Sequence, residues 1–420
     1  MKSTTSLIVV FLGTCFSAPN LASAGKSEAN VDFPHFRMQE IYKGFEVGYA
    51  VKLVDVNGDG KPDIVVVDSK RVVWYENPTW KMHTIINGQT QPDNVCIDAY
   101  DIDGDGKIDF ALGAGWNPGN TLGGGTLQWL KRGKTLDEEW SIHPIDSEPT
   151  VHRIRFADID GTGKPKLLVV PLFGKGSTGK KNHMDAPLRV LAYAIPKNPL
   201  KDRWVPEILN QSLHVAHNFA PIPSGENRKG MDILMASYEG VNLLHRSGDK
   251  WLLRKLGEGN QAKPNDRRGA SEIKQGKLKN GRRFIATIEP WHGHQVVVYT
   301  EPEGDAKNGP WNRHVIDEEL LWGHGVWCAD LDGDGNDELI IGVRDDLDQK
   351  DHRRGVRIYK ALDERGAKWA RHIIDDGGMA CEDALAADLD ADGQPDLVAG
   401  GRATHNVKIY WNRRPAVRGR

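Results

Sequence analysis

ADLDGDGNDELIIG (Ala329 to Gly342) joins a turn of acidic residues to an apolar strand, and the same pattern recurs along the 420-residue chain. The other copies are VDVNGDGKPDIVV (Val54 to Val66), YDIDGDGKIDFAL (Tyr100 to Leu112), ADIDGTGKPKLLVV (Ala157 to Val170) and ADLDADGQPDLVAG (Ala387 to Gly400). A unit that returns several times indicates a repeat architecture, in which each copy packs against the next.

Two more elements accompany the acidic unit. The first has the form V-x-W/Y and occurs as VVWYEN (Val72 to Asn77), LQWLKR (Leu127 to Arg132), VLAYAI (Val190 to Ile195), VVVYTE (Val296 to Glu301), VRIYKA (Val356 to Ala361) and VKIYWN (Val407 to Asn412). The second, W-x-x-H-x-I, occurs at Trp80-His83-Ile85, Trp140-His143-Ile145, Trp311-His314-Ile316 and Trp369-His372-Ile374. All three elements alternate with period two, which predicts strands. Four antiparallel strands at a period of roughly 50 residues describe a propeller blade.

Counting the copies predicts seven blades. The clear ones begin near Gly48, Val95, Val151, Gly323 and Cys381, and two diverged copies lie between them, at residues 214–259 and 269–316. The last blade lacks its W-x-x-H-x-I strand, and FRMQEI (Phe36 to Ile41) supplies that pattern with Phe in place of Trp. We therefore expect an all-β, seven-bladed propeller over residues 25–414, made of four-stranded antiparallel blades. The N-terminal strand would complete the last blade and leave no open sheet edge.

The chain termini carry their own signals. Residues 1–24 read as a signal peptide, with an apolar run from Leu7 to Gly13 and a small-x-small cleavage site at Ala22-Ser23-Ala24. This predicts a secreted or periplasmic protein; lipid anchoring at Cys15 is the weaker alternative. No stretch is long and apolar enough for a transmembrane helix. The formal net charge of −3 gives no reason to expect a nucleic-acid partner. Residues 415–420 form a basic tail, and nothing in the sequence indicates the oligomeric state.

The acidic turns predict calcium sites. In the pattern D-x-[DN]-x-D-x-x-x-[DE], side-chain oxygens on alternate residues of a tight turn can converge on one hard cation. Four blades carry the full set, which predicts up to four structural Ca²⁺ ions. The ligands would be Asp55, Asn57, Asp59, Asp63; Asp101, Asp103, Asp105, Asp109; Asp330, Asp332, Asp334, Glu338; and Asp388, Asp390, Asp392, Asp396. In blade three, Thr162 and Lys166 replace acidic positions, and the lysine ammonium would take the place of the cation.

A second set of residues should meet at the face opposite the acidic turns, which we call the upper face. Propeller topology brings the start of the first strand and the end of the second strand of each blade together there, around the mouth of the central channel. The first strands contribute Tyr49, His152, His217, Glu272, His324 and Glu382. The second strands contribute Trp116, Tyr238, Trp291, His292, His294, Arg344 and Arg402. We interpret the histidines of the W-x-x-H-x-I strands as structural, because they lie on outer strands.

The acidic repeats resemble the VCBS/FG-GAP repeat family of integrin-like propellers. EPWHGHQVVVYTEP (Glu289 to Pro302), the stretch from His324 to Gly342, and His152 are similar to the propeller domain of aldos-2-ulose dehydratase and to secreted rhamnose–glucuronate lyases. That resemblance implies β-elimination on a sugar, with upper-face histidines in the chemistry. The cupin domains of the dehydratase have no counterpart here.

The residue types at the upper face suit an elimination. Such a reaction needs a base for the α-proton, a donor or cation for the enolate charge and an acid for the leaving oxygen. The candidate catalytic residues are His152, His324, His292, Arg344 and Arg402. The candidate sugar-binding residues are Tyr49, Trp116, His217, Tyr238, Glu272, Trp291, His294 and Glu382. Three alternatives stay open: a catalytic divalent metal held by the His/Glu ring, a non-catalytic glycan- or protein-binding propeller, and a purely structural cell-surface protein.

Overall fold

The structure, a computed structural model, describes residues 31–225, 228–304, 309–345 and 354–413. The predicted signal peptide, Cys15 and the basic tail lie outside the described residues. The compact unit of the chain that contains the blades begins at Phe33.

The described residues form 28 strands, four in each blade. Blades one to three contain β2 to β13. The strand before them, β1, spans His35–Lys43. Blade one comprises β2 (Ala50–Val54), β3 (Asp63–Val67), β4 (Arg71–Glu76) and β5 (Lys81–Asn87). Blade two comprises β6 (Cys96–Tyr100), β7 (Asp109–Ala114), β8 (Thr126–Lys131) and β9 (Ser141–Ser147). Blade three comprises β10 (Val151–Ala157), β11 (Lys166–Pro171), β12 (Val190–Ala194) and β13 (Pro206–Asn210).

Blades four to seven complete the ring. Blade four comprises β14 (Ala216–Pro223), β15 (Met231–Ser237), β16 (Gly240–Ser247) and β17 (Lys250–Gly257). Blade five comprises β18 (Ile273–Lys277), β19 (Arg283–Glu289), β20 (Gln295–Thr300) and β21 (Asn312–Asp317). Blade six comprises β22 (Gly323–Ala329), β23 (Glu338–Val343), β24 (Gly355–Ala361) and β25 (Trp369–Asp376). Blade seven comprises β26 (Cys381–Ala387), β27 (Asp396–Gly401) and β28 (Asn406–Arg413).

The ring closes through the N-terminal strand, as the sequence predicts. Blade seven has the order β1-β28-β27-β26, and every pairing within the seven sheets is antiparallel. β1 pairs with β28 from His35 opposite Arg413 to Lys43 opposite Asn406. The prediction of an all-β, seven-bladed propeller is therefore confirmed. Gly179–Lys181 form one turn of 3-10 helix, and no helix among the described residues is long and apolar enough to cross a membrane.

The core lies between neighbouring blades. The aromatic residue of the V-x-W/Y strand is fully buried in most blades, and it packs there against strands of the adjacent blade. These residues are Trp74, Trp129, Tyr193, Tyr299, Tyr359 and Tyr410. Burying one such ring stabilises the fold by roughly 1.5–3 kcal/mol, which explains why the pattern returns in blade after blade.

The outer-strand histidines make structural contacts. His83 stacks on Trp74 with ring centroids 4.4 Å apart, and His143 lies 5.2 Å from Trp129. His314 contacts the Thr300 hydroxyl at 3.1 Å. All three are remote from the channel, in keeping with the structural role that their position predicts.

Candidate functional site

β-Bulges in the innermost strands aim four polar side chains at the upper face. The strand pairing shifts by one residue at His152 in β10, His217 in β14, His324 in β22 and Glu382 in β26. A bulge leaves one residue without a cross-strand partner and turns its side chain away from the regular alternation. The same local device therefore delivers one functional group from each of four blades.

Three histidines from three blades meet above the channel. The ring nitrogens of His217, His292 and His324 lie within 4.8 Å of one another. The Nε2 atoms of His217 and His292 are 2.6 Å apart. His292 comes from the β19–β20 connection, where its φ of 48° places it in the left-handed region, and Gly293 follows it. A Cβ at Gly293 would lie 2.3 Å from the Glu289 carbonyl, so only glycine permits the tight turn that presents His292.

Acceptor groups lie behind two of the three histidines, His324 and His217. The Nδ1 atom of His324 lies 2.6 Å from the Glu382 carbonyl oxygen, which makes it the donor and leaves Nε2 with a free lone pair. The Nδ1 atom of His217 lies 2.5 Å from Glu272 Oε1, although neither atom has a partner with hydrogen-bond geometry. A carbonyl or carboxylate behind each ring is the arrangement found behind metal-binding histidines.

His152 stands beside this trio. Its Nδ1 atom donates to the His217 carbonyl oxygen at 2.9 Å, and its Nε2 atom accepts from Arg153 Nη1 at 3.2 Å. The ring lies 4.4 Å from that of His217 and 4.9 Å from that of Trp116. His152 is thus a neutral imidazole with a fixed tautomer, next to the trio and in contact with a cation.

Burial keeps the site histidines uncharged. Burial, and then the charge of Arg153, holds the pKa of His152 well below its usual 6.5. Burial lowers the pKa of His217, His292 and His324 in the same direction, with neighbouring histidines or Arg344 as the next cause. For Glu272, burial outweighs the pull of Arg153 and raises the pKa to about 7. Neutral imidazoles can accept protons or bind a cation, so the site is prepared for both.

The two candidate arginines converge on one carboxylate. Glu382 lies 3.6 Å from Arg344 and 3.2 Å from Arg402, and burial raises the pKa of Glu382 against the pull of both cations. Arg344 also pairs with Asp345 at 2.8 Å, and Arg402 lies over the ring of Tyr49 at 5.3 Å. Glu382 therefore fixes the two guanidinium groups at the rim of the site.

Aromatic rings border the histidines on one side. Trp291 stacks on His292 with ring centroids 4.1 Å apart, and Tyr238 lies 6.1 Å from Trp291. A cavity of about 150 Å³ opens beside them, and its lining includes His294 and Trp322. Such flat apolar faces next to polar groups suit a sugar ring.

Several residues of the site are absent from the sequence-based prediction. Lys263 and Arg267 line the same 150 Å³ cavity, and Arg267 lies 5.5 Å from the Trp291 ring centroid. Arg153 lies between His152 and Glu272, and Tyr49 donates a hydrogen bond to Asp93 at 2.9 Å. The sequence feature that could have indicated Lys263 and Arg267 is the charged run KPNDRR (Lys263 to Arg268) between two predicted strands.

The acidic turns fold into loops with their carboxylates together. In blades two, six and seven the groups Asp101-Asp103-Asp109, Asp330-Asp332-Glu338 and Asp388-Asp390-Asp396 each bring ligand atoms within 4.8 Å of one another. In blade one, Asp55 accepts hydrogen bonds from the backbone N–H groups of Gly58 and Gly60. The remaining predicted ligands, Asn57, Asp59, Asp63, Asp105, Asp334 and Asp392, lie in the same turns.

Basic side chains reach several of these loops. Lys166 contacts Asp160 at 2.8 Å in blade three, where the sequence predicts that lysine replaces the cation. Lys131 also contacts Asp103 in blade two, and Lys360 contacts Asp332 in blade six, which the repeat pattern does not predict. Arg413 likewise lies 2.9 Å from Asp390 in blade seven. The loop of blade one instead faces Glu76, whose carboxylate accepts from Asn57 at 3.4 Å.

Comparison with known sequences finds two matching family descriptions and one relative. Residues 124–302 match the family described as aldos-2-ulose dehydratase, beta-propeller domain, and residues 55–112 and 330–399 match the FG-GAP-like repeat. Aldos-2-ulose dehydratase of Phanerodontia chrysosporium is 27% identical over 267 residues, which cover 59% of this chain. The match covers 29% of the length of that relative.

Solved structures support the fold alone. The BBS1N domain, crystallised in complex with ARL6DN, superposes over 91% of this chain with a TM-score of 0.51 and 13% identity. The Cps50 (Swd1) β-propeller domain of Myceliophteria thermophila superposes over 90% with a TM-score of 0.54 and 9% identity. The chain is a seven-bladed β-propeller with FG-GAP-like repeats, and its central part matches the propeller domain of aldos-2-ulose dehydratase.

Proposed function

We propose that this propeller is a carbohydrate lyase or dehydratase that acts by β-elimination at the upper-face site. The observation that carries the proposal is the convergence of four neutral histidines from four blades, three of them buried and His292 half-buried, beside two arginines and a stacked Trp291–His292 pair. A binding surface needs aromatic and charged residues but no such histidine set. The match to the dehydratase propeller domain supports the same class of reaction.

We assign the site residues to two roles, the base and the groups that stabilise the developing negative charge. His152 is our candidate base: its Nδ1–H is held by the His217 carbonyl, and its Nε2 can take the α-proton of the substrate once Arg153 yields that contact. His324 is the alternative, since its Nε2 lone pair is free. Arg344 and Arg402 would pair with the carboxylate or enolate oxygens, and the leaving oxygen takes a proton from water as the C–O bond breaks and the C=C bond forms.

The histidine trio suits a divalent transition metal. Three neutral imidazole nitrogens within 4.8 Å, with the Glu382 carbonyl and the Glu272 carboxylate behind two of the rings, match the ligands and outer contacts that Zn²⁺ prefers. His217, His292 and His324 would hold the ion, which would polarise a substrate oxygen and stabilise the charge that develops on it. His152 stays outside this set, which is why we favour it as the base.

The test is an ultraviolet assay for unsaturated product. Purified protein would be incubated with uronic-acid glycosides, 1,5-anhydrofructose and 3-keto-glycosides, with and without added Zn²⁺ or Mn²⁺. We expect His152→Ala to abolish turnover while metal binding persists, and His324→Ala to lose both. His143→Ala, on an outer strand, is the matched control and should behave like wild type.

Glycan binding without turnover is the competing outcome. Trp116, Trp291 and Tyr238 give the site enough aromatic surface to hold a sugar passively. If a folded protein binds members of the panel but yields no unsaturated product under any metal condition, the lyase proposal fails and the binding-module function replaces it.

We further propose that the acidic turns bind calcium and that the protein is exported. Three blades bring carboxylates together, and the loop of blade one carries the same residue pattern. We expect affinities of roughly 10⁻⁴–10⁻³ M, as in extracellular modules. The apolar run and cleavage site in residues 1–24 support secretion or a periplasmic location. Mass spectrometry of the N-terminus after expression in a secreting host tests the second point: cleavage after Ala24 is expected, and lipidated Cys15 would identify an anchored protein instead.

A further inference from the structure

A larger cavity, which we call the axial cavity, runs along the propeller axis. It measures about 620 Å³, and the innermost strands of all seven blades line it. Its wall carries four cationic side chains and three carboxylates: Lys52, Arg153, Arg155, Lys274, Asp98, Glu272 and Asp383. Nothing in the proposed elimination uses Arg155 or Lys274.

Most of the charges in this cavity are already matched. Lys52 forms an ion pair with Asp98, and Arg153 lies 3.9 Å from Glu272. Asp383 accepts hydrogen bonds from two backbone N–H groups, those of Val51 at 3.1 Å and Ala384 at 3.0 Å. The three carboxylates make their close contacts with these partners, and Asp383 and Glu272 act on Lys274 only from beyond ion-pairing distance.

Arg155 and Lys274 remain as two cations without a carboxylate. Neither forms an ion pair within 4.0 Å with any residue that the structure describes. Arg155 donates only to neutral oxygens, the Ile154 carbonyl at 2.8 Å and Asn218 Oδ1 at 3.3 Å. The Lys274 ammonium lies 4.1 Å from the Trp327 ring centroid.

The two cations also repel each other. Burial, and then the charge of Arg155, lowers the pKa of Lys274 to about 8. Charged groups removed from bulk water are unfavourable unless an opposite charge compensates them, and an anion placed near both would relieve the repulsion. A guanidinium fork and an ammonium group are the side chains that proteins use to bind oxyanions.

We propose that the axial cavity binds one small oxyanion, a phosphate or a short carboxylate, between Arg155 and Lys274. Trp327, whose ring lies beside the Lys274 ammonium, belongs to the apolar part of the wall. This site is separate from the histidine site and does not depend on the lyase function. The two are nonetheless linked, because Asn218 accepts from Arg155 and donates to Glu272, which contacts His217.

Calorimetry on the purified full chain tests the proposal. Inorganic phosphate and succinate would be titrated separately in a buffer free of both, since either source could supply the anion. We expect one-to-one binding of at least one of them, weakened at least tenfold by Lys274→Met and by Arg155→Met. Lys277→Met removes an exposed charge from the same strand, β18, and should leave the affinity unchanged.

Two results would overturn the proposal: neither anion binds, or both substituted proteins bind as wild type does. If the variants do not fold, crystals of the wild-type protein soaked in bromide test the anion site instead. An anomalous peak beside Lys274 supports the site, and an axial cavity that holds only water rejects it. Loss of turnover on sugars has no bearing on either readout, so the two proposals can fail independently.

Discussion

Glu272 lies behind the His217 ring, where a partner would adjust the affinity of that histidine for the proposed metal ion. Its Oε1 atom lies 2.5 Å from His217 Nδ1, and Asn218 donates to its other oxygen. We expect Glu272→Gln to weaken Zn²⁺ or Mn²⁺ binding by 10- to 100-fold, because outer partners of ligating histidines typically contribute that much. Calorimetry with the metal alone measures the change. Glu258→Gln, at an exposed ion pair, is the control, and equal affinities of the two variants would contradict the assignment.

The lowered pKa of Lys274 predicts how the free energy of unfolding changes with pH. Its pKa is about 8 in the folded protein and 10.5 in an unfolded chain, so between these values the unfolded state binds more protons. Stability must therefore rise with pH across this window. Thermal unfolding in anion-poor buffer should show Lys274→Met more stable than wild type at pH 7, with the difference shrinking from pH 8 to 10.5. A difference that is constant with pH would contradict the lowered pKa.

The histidine site shows what residue patterns can and cannot predict. The spacing from the acidic turn located His152, His324 and Glu382, because that distance is fixed by one short strand in each blade. It could not reveal which histidines form the trio, since that depends on the φ of 48° at His292 and on the relative placement of three blades. Arg267 came from a loop whose path has no period to follow.

At the level of secondary-structure elements, the acidic loops differ in the side chains that contact them. Lys131 places its ammonium against Asp103, where a calcium ion would bind. We expect Lys131→Met to raise calcium affinity several-fold and to lower the melting temperature in chelator, because the carboxylates then repel one another without compensation. Calcium titrations followed by thermal shift measure both effects. Lys107→Met, in the same turn, should change neither.

Strand identity was predictable because the local signals agree. Each V-x-W/Y strand buries its aromatic residue, and four of the five acidic turns end in a carboxylate that caps the loop, as Asp63 does for the N–H groups of Val56 and Asn77. The β-bulges were not predictable, since an inserted residue leaves the apolar alternation of a seven-residue strand almost unchanged. Those bulges turn His152, His217, His324 and Glu382 toward the upper face.

At the scale of the whole molecule, one strand closes the ring. A chain that begins at Ala50 lacks β1 and would expose the edge of β28, so we expect a lower melting temperature and concentration-dependent self-association. A chain that begins at Asp32 keeps the strand and is the control. Light scattering and thermal unfolding compare the two. Addition of a peptide of residues 32–44 should restore the shorter chain, and a shorter chain that stays monomeric and equally stable would contradict this account.

The pairing of β1 with β28 also orders events during synthesis. Asn406 donates to Glu40 across 366 residues of sequence, so the strand that leaves the ribosome first must wait for the strand that leaves last. Six blades can each collapse on their own neighbours while the chain is still growing, but the seventh cannot. The nascent protein is therefore an open arc with two unpaired strand edges, those of the first and last blades, until β28 has left the ribosome and can pair with β1.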